Sequence, residues 1–141
     1  MADTSSGQSW DQFWATTTAA NLAMVQGDPR KLKEVYSHRE DITVLGGFGG
    51  FESGWKEVGP RLDWAASQFK NGTFEQKEIS VVVGSDMAFT VTIERNEVNI
   101  AGKSETSVLE LRVTQIFRRE GDGWHMVHRH ADPLVNKHAP E

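Results

Sequence analysis

The residues best suited to chemistry lie on one predicted strand near the carboxyl end of the chain. His128, His130 and Asp132 are two residues apart, and alternate side chains of a strand share one face. A histidine titrates near neutral pH, and a neighbouring carboxylate raises its pKa and fixes its tautomer. We therefore predict that these three residues line a polar pocket and transfer protons. In the alternative interpretation, they only satisfy hydrogen bonds in a polar interior.

The same spacing also permits a metal site. Two imidazoles and one carboxylate on a strand face could form a set of two histidines and one carboxylate. The spacing is not diagnostic, because residues i and i+2 of any strand have this relation.

Further candidate binding residues come from a second strand and from the helices. Arg112 and Thr114 share one strand face, and the guanidinium could bind a ligand carboxylate. The alternative for Arg112 is an ion pair with Glu110, Asp132 or Glu94 that supports the sheet. We also select as ligand-binding residues Phe13, Thr17, Trp55 and Trp124. Aromatic residues at helical spacing are also typical of a plain core.

Three helices followed by long strands are needed to position these residues. Apolar spacing predicts helices at 10–26, 29–36 and 54–69 and strands at 42–45, 73–83, 86–99, 103–119 and 124–131. Ser9 and Asp28 are the predicted helix N-caps, and Pro60 predicts a kink or a fresh helix start. This order is an α+β arrangement. Strands longer than usual must bend, so a sheet curved around the helices encloses a cavity.

Length and composition indicate one globular domain. The chain has 141 residues, 38% of them hydrophobic, and no cysteine, which excludes disulfides and thiol chemistry. We expect a disordered tail at residues 1–9, a domain at 10–134 and a second tail at 135–141. A net charge of −5 without a long basic run argues against nucleic acid as a partner. No apolar segment could cross a membrane or serve as a signal, so we expect a cytoplasmic protein.

The glycine-rich segment at residues 46–54 lacks the Gly-Lys-Ser/Thr ending of a phosphate-binding loop. Its repeated Gly-Gly-Phe is more typical of a mobile flap over the mouth of a cavity.

The order of elements and several short motifs resemble a known superfamily. The motifs are the Gly27-Asp28 break, residues 40–45, the glycine at 54, and the strand pair 112–119 and 122–130. The chain resembles the NTF2-like (cystatin-like) superfamily in its SnoaL-like and ketosteroid-isomerase-like branch. It is also similar to the association domain of calcium/calmodulin-dependent kinases. The resemblance covers residues 10–134 and implies three helices packed on a strongly curved antiparallel sheet.

The isomerase branch implies a residue set that this chain lacks. Its tyrosine falls at about Ala20, its carboxylate base at about Gly46 and its protonated acid at about Thr114. None of the three matches. The resemblance further implies that the 128–132 row and Arg112 face the cavity, and that neither a metal nor another cofactor is needed.

If Arg112 faces inward, an apolar stripe on the same strand faces outward. Its members are Leu109, Leu111, Val113 and Phe117. Such a stripe predicts a homodimer through the convex face of the sheet, as the resemblance also implies. We therefore expect a pocket protein for a small, partly apolar ligand, with a cofactor-independent isomerase, lyase or hydratase activity left open. The alternative is a ligand-binding or oligomerisation module without turnover.

Overall fold

The computed structural model describes residues 7–121 and 123–141. The helices are α1 (Trp10–Val25), α2 (Arg30–Val35) and α3 (Trp55–Ser67). The strands are β1 (Thr43–Leu45), β2 (Glu52–Ser53), β3 (Phe69–Lys70), β4 (Glu75–Val83), β5 (Met87–Ile100), β6 (Thr106–Glu120) and β7 (Gly123–Pro133). Residues 1–6 of the predicted tail and Asp122 of the predicted turn lie outside the described residues.

The helices begin near the predicted caps. Ser9 accepts a hydrogen bond from the Gln12 amide while the Gln12 side chain accepts one from the Ser9 amide, which forms a capping box. Asp28 accepts a hydrogen bond from the Arg30 amide at 3.0 Å, although α2 starts one residue later than predicted.

Helix α3 starts after a glycine with a left-handed backbone. Gly54 has a φ of +81°, and a Cβ there would lie 3.2 Å from the carbonyl oxygen of Glu40. A glycine is therefore the residue that fits this turn. A kink or a fresh helix start was predicted at Pro60; the helix continues through this proline as one element, so the fresh start does not occur.

The seven strands of the described chain form one sheet that is strongly curled into half a barrel. Its order is β2-β1-β7-β6-β5-β3, and β4 also pairs with β5. The β1–β7 pairing is parallel, and the other pairings are antiparallel. The three helices pack on the concave face, as predicted. The two-residue strands β2 and β3 were not predicted, because pairs this short carry no periodicity.

A β-bulge decides which residues of β7 face the helices. Ile116 pairs with His128 and Phe117 pairs with Met126, so Val127 is an extra residue without a partner on β6. Because side chains alternate along a strand, one extra residue reverses the faces beyond it. Trp124 and Met126 therefore face inward, as do Arg129 and Ala131 further along.

The outward face of β6 also differs from the prediction. Val113, Gln115 and Phe117 are buried, whereas Arg112 and Thr114 are exposed. The expectation that Leu109, Leu111, Val113 and Phe117 face outward is therefore wrong. An α+β domain buries its apolar strand face under the helices, and this stripe is that face.

The core lies between the three helices and the concave face of the sheet. It contains the largest fully buried apolar side chains, which are Phe13, Tyr36, Ile42, Phe117 and Met126. In the part of the chain that the structure describes, no helix is long and apolar enough to cross a bilayer.

Candidate ligand-binding site

A cavity of about 380 Å³ lies beside this core, between the helices and the concave face of the sheet. Its apolar walls come from α1, α3, β1 and β6, and include Met24, Leu62, Ala65, Val44 and Leu111. This volume is near the lower end of the range of about 300–1,000 Å³ typical of small-molecule sites.

Three polar side chains of the sheet form what we term the Arg129 cluster, and two of them, Arg129 and Glu94, line the cavity. Arg129 of β7 donates hydrogen bonds of 2.9 Å from Nη1 and from Nη2 to the two carboxylate oxygens of Glu94. It also donates one of 2.8 Å from Nη1 to the side-chain oxygen of Gln115. The side chains of Arg129 and Glu94 are 16% and 3% exposed, respectively. A charge this deeply buried needs a partner of opposite sign, and each supplies it for the other.

The topology explains how two distant strands meet in this cluster. Arg129 lies opposite Gln115 on β6, and Gln115 lies opposite Thr90 on β5. Glu94 lies four residues further along β5 than Thr90. The arginine side chain therefore crosses β6 along the concave face to reach a carboxylate two strands away.

Two neutral polar side chains lie near the cluster in the cavity lining. Burial raises the pKa of the Tyr36 hydroxyl to about 12, with Arg129 opposing the rise. Tyr36 therefore stays protonated and can donate a hydrogen bond. Asn96 is buried, and its side-chain oxygen has no hydrogen-bond partner among the described residues. An unpaired buried amide is costly, and a ligand could satisfy it.

The mouth of the cavity carries a second pair of charges and an aromatic cover. Arg61 of α3 lies 4.0 Å from the Glu52 carboxylate and stacks over the Trp64 ring at 4.0 Å. Phe48 packs edge-on against Trp64, with 6.2 Å between ring centroids. The glycines at 46 and 47 also line the cavity; that their segment is a mobile flap stays a prediction.

Comparisons with known proteins agree with this architecture. The family model described as the SnoaL-like domain matches residues 14–135. The chain belongs to the SnoaL-like domain family. No curated protein matches it.

Three solved structures illustrate the fold that this SnoaL-like domain shares. One is a candidate dehydratase of the NTF2-like family from Streptomyces avermitilis, with a TM-score of 0.76 and 22% identity over 89% of this chain and 96% of that chain. Another is a candidate calcium/calmodulin-dependent protein kinase type II association domain from Thiobacillus denitrificans, with a TM-score of 0.73 and 18% identity over 92% and 98% of the two chains. A third is a ketosteroid isomerase-like protein from Erwinia carotovora, with a TM-score of 0.72 and 13% identity over 88% and 95%. At these identities the likeness shows an NTF2-like fold and carries no ligand or activity with it.

In this SnoaL-like domain, the residues predicted to be catalytic lie on the outward face of the sheet, away from the cavity. Beyond the bulge, His128, His130 and Asp132 face outward with Thr43 of β1, and none of them lines the cavity. The prediction that they face the cavity is therefore wrong.

The outward row makes contacts of its own. His128 Nδ1 lies 2.7 Å from the Thr43 hydroxyl, and burial together with His130 lowers the pKa of His128. Asp132 accepts two hydrogen bonds of 2.8 Å from Arg112, which lower the pKa of the carboxyl group. The ion pair of Arg112 with Asp132 is the alternative that the sequence left open.

The other predicted binding residues also lie outside the cavity lining. Thr114 faces outward beside Arg112. Phe13 and Trp124 are buried in the core, and the Thr17 hydroxyl donates to the Phe13 carbonyl at 2.9 Å. Trp55 stacks on His38 with 3.8 Å between ring centroids. Among the described residues, no group of three histidine or carboxylate side chains is placed to hold a metal ion.

The residues that do form the site had no usable signal in the sequence. Thr90, Thr92, Glu94 and Asn96 alternate with Val91, Ile93 and Arg95 along β5. Alternation of this kind usually places the polar residues in solvent and the apolar ones in the core, so it did not mark Glu94 and Asn96 as interior. Arg129 was missed as well, because the histidines on either side of it were predicted to form the functional face of the strand.

Proposed function

We propose that this SnoaL-like domain binds a small, partly apolar molecule in the cavity beside the Arg129 cluster. One observation carries the proposal: a cavity of about 380 Å³ has apolar walls and a small number of convergent polar groups, which is the usual composition of a small-molecule site. Asn96, with its unpaired side-chain oxygen, supports it further.

Filling the cavity tests the proposal. Ala65 lines it on α3, so Ala65→Trp should abolish binding of a two-ring probe such as 2-acetylnaphthalene, measured by ligand-observed NMR. Ala15→Trp on the exposed face of α1 is the matched control and should bind as the parent does. Unchanged binding in Ala65→Trp, with the protein still folded, would place the ligand elsewhere.

A cofactor-independent isomerase, lyase or hydratase is the second candidate. The family and the dehydratase description of one structural neighbour support it. Since His128, His130 and Asp132 face away from the cavity, the proposed base is Glu52, whose carboxylate lies in the lining near Arg61.

Proton abstraction next to a carbonyl can be measured without knowing the substrate. Deuterium exchange into the methyl group of 2-acetylnaphthalene would report it, and Glu52→Gln should stop the exchange while leaving binding intact. If the parent protein binds the ketone but exchanges no deuterium, the protein is a binding module for this class of ligand.

We further propose a homodimer through the outward face of the sheet. The apolar side chains there differ from the predicted stripe. Val82 and Phe89 are exposed and directly opposite each other, with Met87 and Ile79 also exposed nearby. A contiguous apolar patch on a sheet face favours association.

The mass measured by analytical sedimentation tests the dimer. We expect twice the chain mass of 15.7 kDa, and Phe89→Glu should reduce it to the mass of one chain. Phe51→Glu, at an exposed phenylalanine of a loop, should leave the mass unchanged. A single-chain mass for the parent protein would contradict the proposal.

A further inference from the structure

We propose that the cavity selects an uncharged ligand with a carbonyl or hydroxyl oxygen, and rejects a carboxylate of the same shape. The inference rests on the proposed function and deepens it, because it names the ligand class of the same site. The reason is that Glu94 of the chain itself already neutralises the charge of Arg129 that would attract a carboxylate ligand.

The hydrogen bonds of Arg129 show what is left for a ligand. A guanidinium has five N–H donors. Both Nη1 donors are used, one by Glu94 and one by Gln115, and one Nη2 donor is used by Glu94. A second Nη2 donor and the Nε donor have no partner among these contacts. These two donors lie on one edge of the guanidinium, where a carbonyl or hydroxyl oxygen can accept from them. Because Glu94 already balances the charge of Arg129, this edge offers hydrogen bonds without a net positive charge for a carboxylate.

The charges around the cavity also oppose an anion. The described lining contains the arginines at 61 and 129 and the glutamates at 52, 94 and 110. Each arginine has a glutamate as its neighbour, at 4.0 Å for Arg61 and 2.9 Å for Arg129. A carboxylate that enters would lose its hydration without gaining a free counterion, and that loss is costly in an apolar cavity.

Neutral polar groups complete a site for an uncharged oxygen. Tyr36 and Asn96 both line the cavity near the cluster, and each can donate or accept a hydrogen bond. Both remain uncharged over the physiological range, so they recognise a dipole and gain nothing from a net charge. The volume suits one or two rings carrying such an oxygen.

The experiment compares two probes of nearly identical shape, 2-naphthamide and 2-naphthoate, by calorimetry at neutral pH. The parent protein should bind the amide at least about tenfold more tightly than the carboxylate. Glu94→Gln, which removes the competing carboxylate, should reverse this preference and strengthen 2-naphthoate binding by at least about tenfold. Glu97→Gln, on the outward face of the same strand, should leave the ratio unchanged.

The outcomes separate this inference from the proposed function. Equal affinities, tighter binding of the carboxylate or no binding of the amide by the parent protein would each overturn the inference. That comparison needs no variant, so it decides the matter even if Glu94→Gln folds poorly. If instead the preference holds but Ala65→Trp does not weaken amide binding, the site is not this cavity and the proposed function fails.

Discussion

The ion pair in the Arg129 cluster should be far more costly to break than its outward-facing counterpart. In Arg129→Met, the Glu94 carboxylate keeps its buried position, with 3% of the side chain exposed, but loses two hydrogen bonds of 2.9 Å. Removing one partner of a buried pair costs about 3–5 kcal/mol. We therefore expect the free energy of unfolding to fall by about 4 kcal/mol and Tm to fall by roughly 10–20 °C.

A double variant distinguishes the cost of an unpaired buried charge from the cost of lost packing. In the double variant Arg129→Met/Glu94→Leu, no charge remains uncompensated, so the free energy of unfolding should return to within about 1 kcal/mol of the parent value. Arg112→Met is the control, since Arg112 and Asp132 are 56% and 42% exposed and such pairs contribute at most about 1 kcal/mol.

Urea unfolding followed by tryptophan fluorescence gives all four values at one fixed protein concentration. If Arg129→Met costs no more than Arg112→Met, the reasoning is refuted, because the Arg129–Glu94 pair would then behave as a solvated one.

Three other predictions concern the tyrosine, a glycine and the histidines. Tyr36 is the only tyrosine of the chain, so phenolate absorbance should titrate near pH 12 in the folded protein and near its ordinary pKa of 10.0 in urea. Because the folded pKa is the higher one, its contribution to stability is complete below pH 10 and is lost towards pH 12; a folded midpoint near 10 would contradict this. Gly72→Ala should lower the free energy of unfolding by about 1–3 kcal/mol, since its Cβ would clash with the Val25 carbonyl oxygen. Gly46→Ala, with nothing within 4 Å of its Cβ, should change this free energy little, and equal losses in the two variants would argue against a steric cause. His128→Ala and His130→Ala should leave 2-acetylnaphthalene affinity within about twofold, because both rings face outward; a large loss would mean that they contact the ligand.

Local signals explain why most elements could be predicted. The Ser9 cap and the breaks at Gly27 and Gly54 depend on neighbours in the chain, and the structure has helix boundaries within one or two residues of them. The long hairpin strands follow from alternating β-branched residues between turn residues. Because these preferences act over a few residues, a sequence contains nearly all of the information that they need.

The residues of the site could not be predicted in this way, because one bulged residue reverses which side chains of β7 face the helices. If the side chains alternated regularly from Trp124, without a bulge at Val127, His128 and His130 would face the helices; with the bulge, Arg129 does so instead. A bulge of this kind relieves the curvature of a sheet that wraps around helices, and curvature belongs to the assembled sheet. Nothing in residues 124–132 alone marks where the extra residue falls.

The sequence by itself determined the class of fold and the order of its helices and long strands, since each depends on composition and periodicity along one segment. Only the tertiary structure decided that Arg129 pairs with Glu94 and that the histidines face outward. That pair joins two residues 35 positions apart in sequence. Its geometry exists only once β6 lies between β7 and β5 and the sheet has curled around the helices.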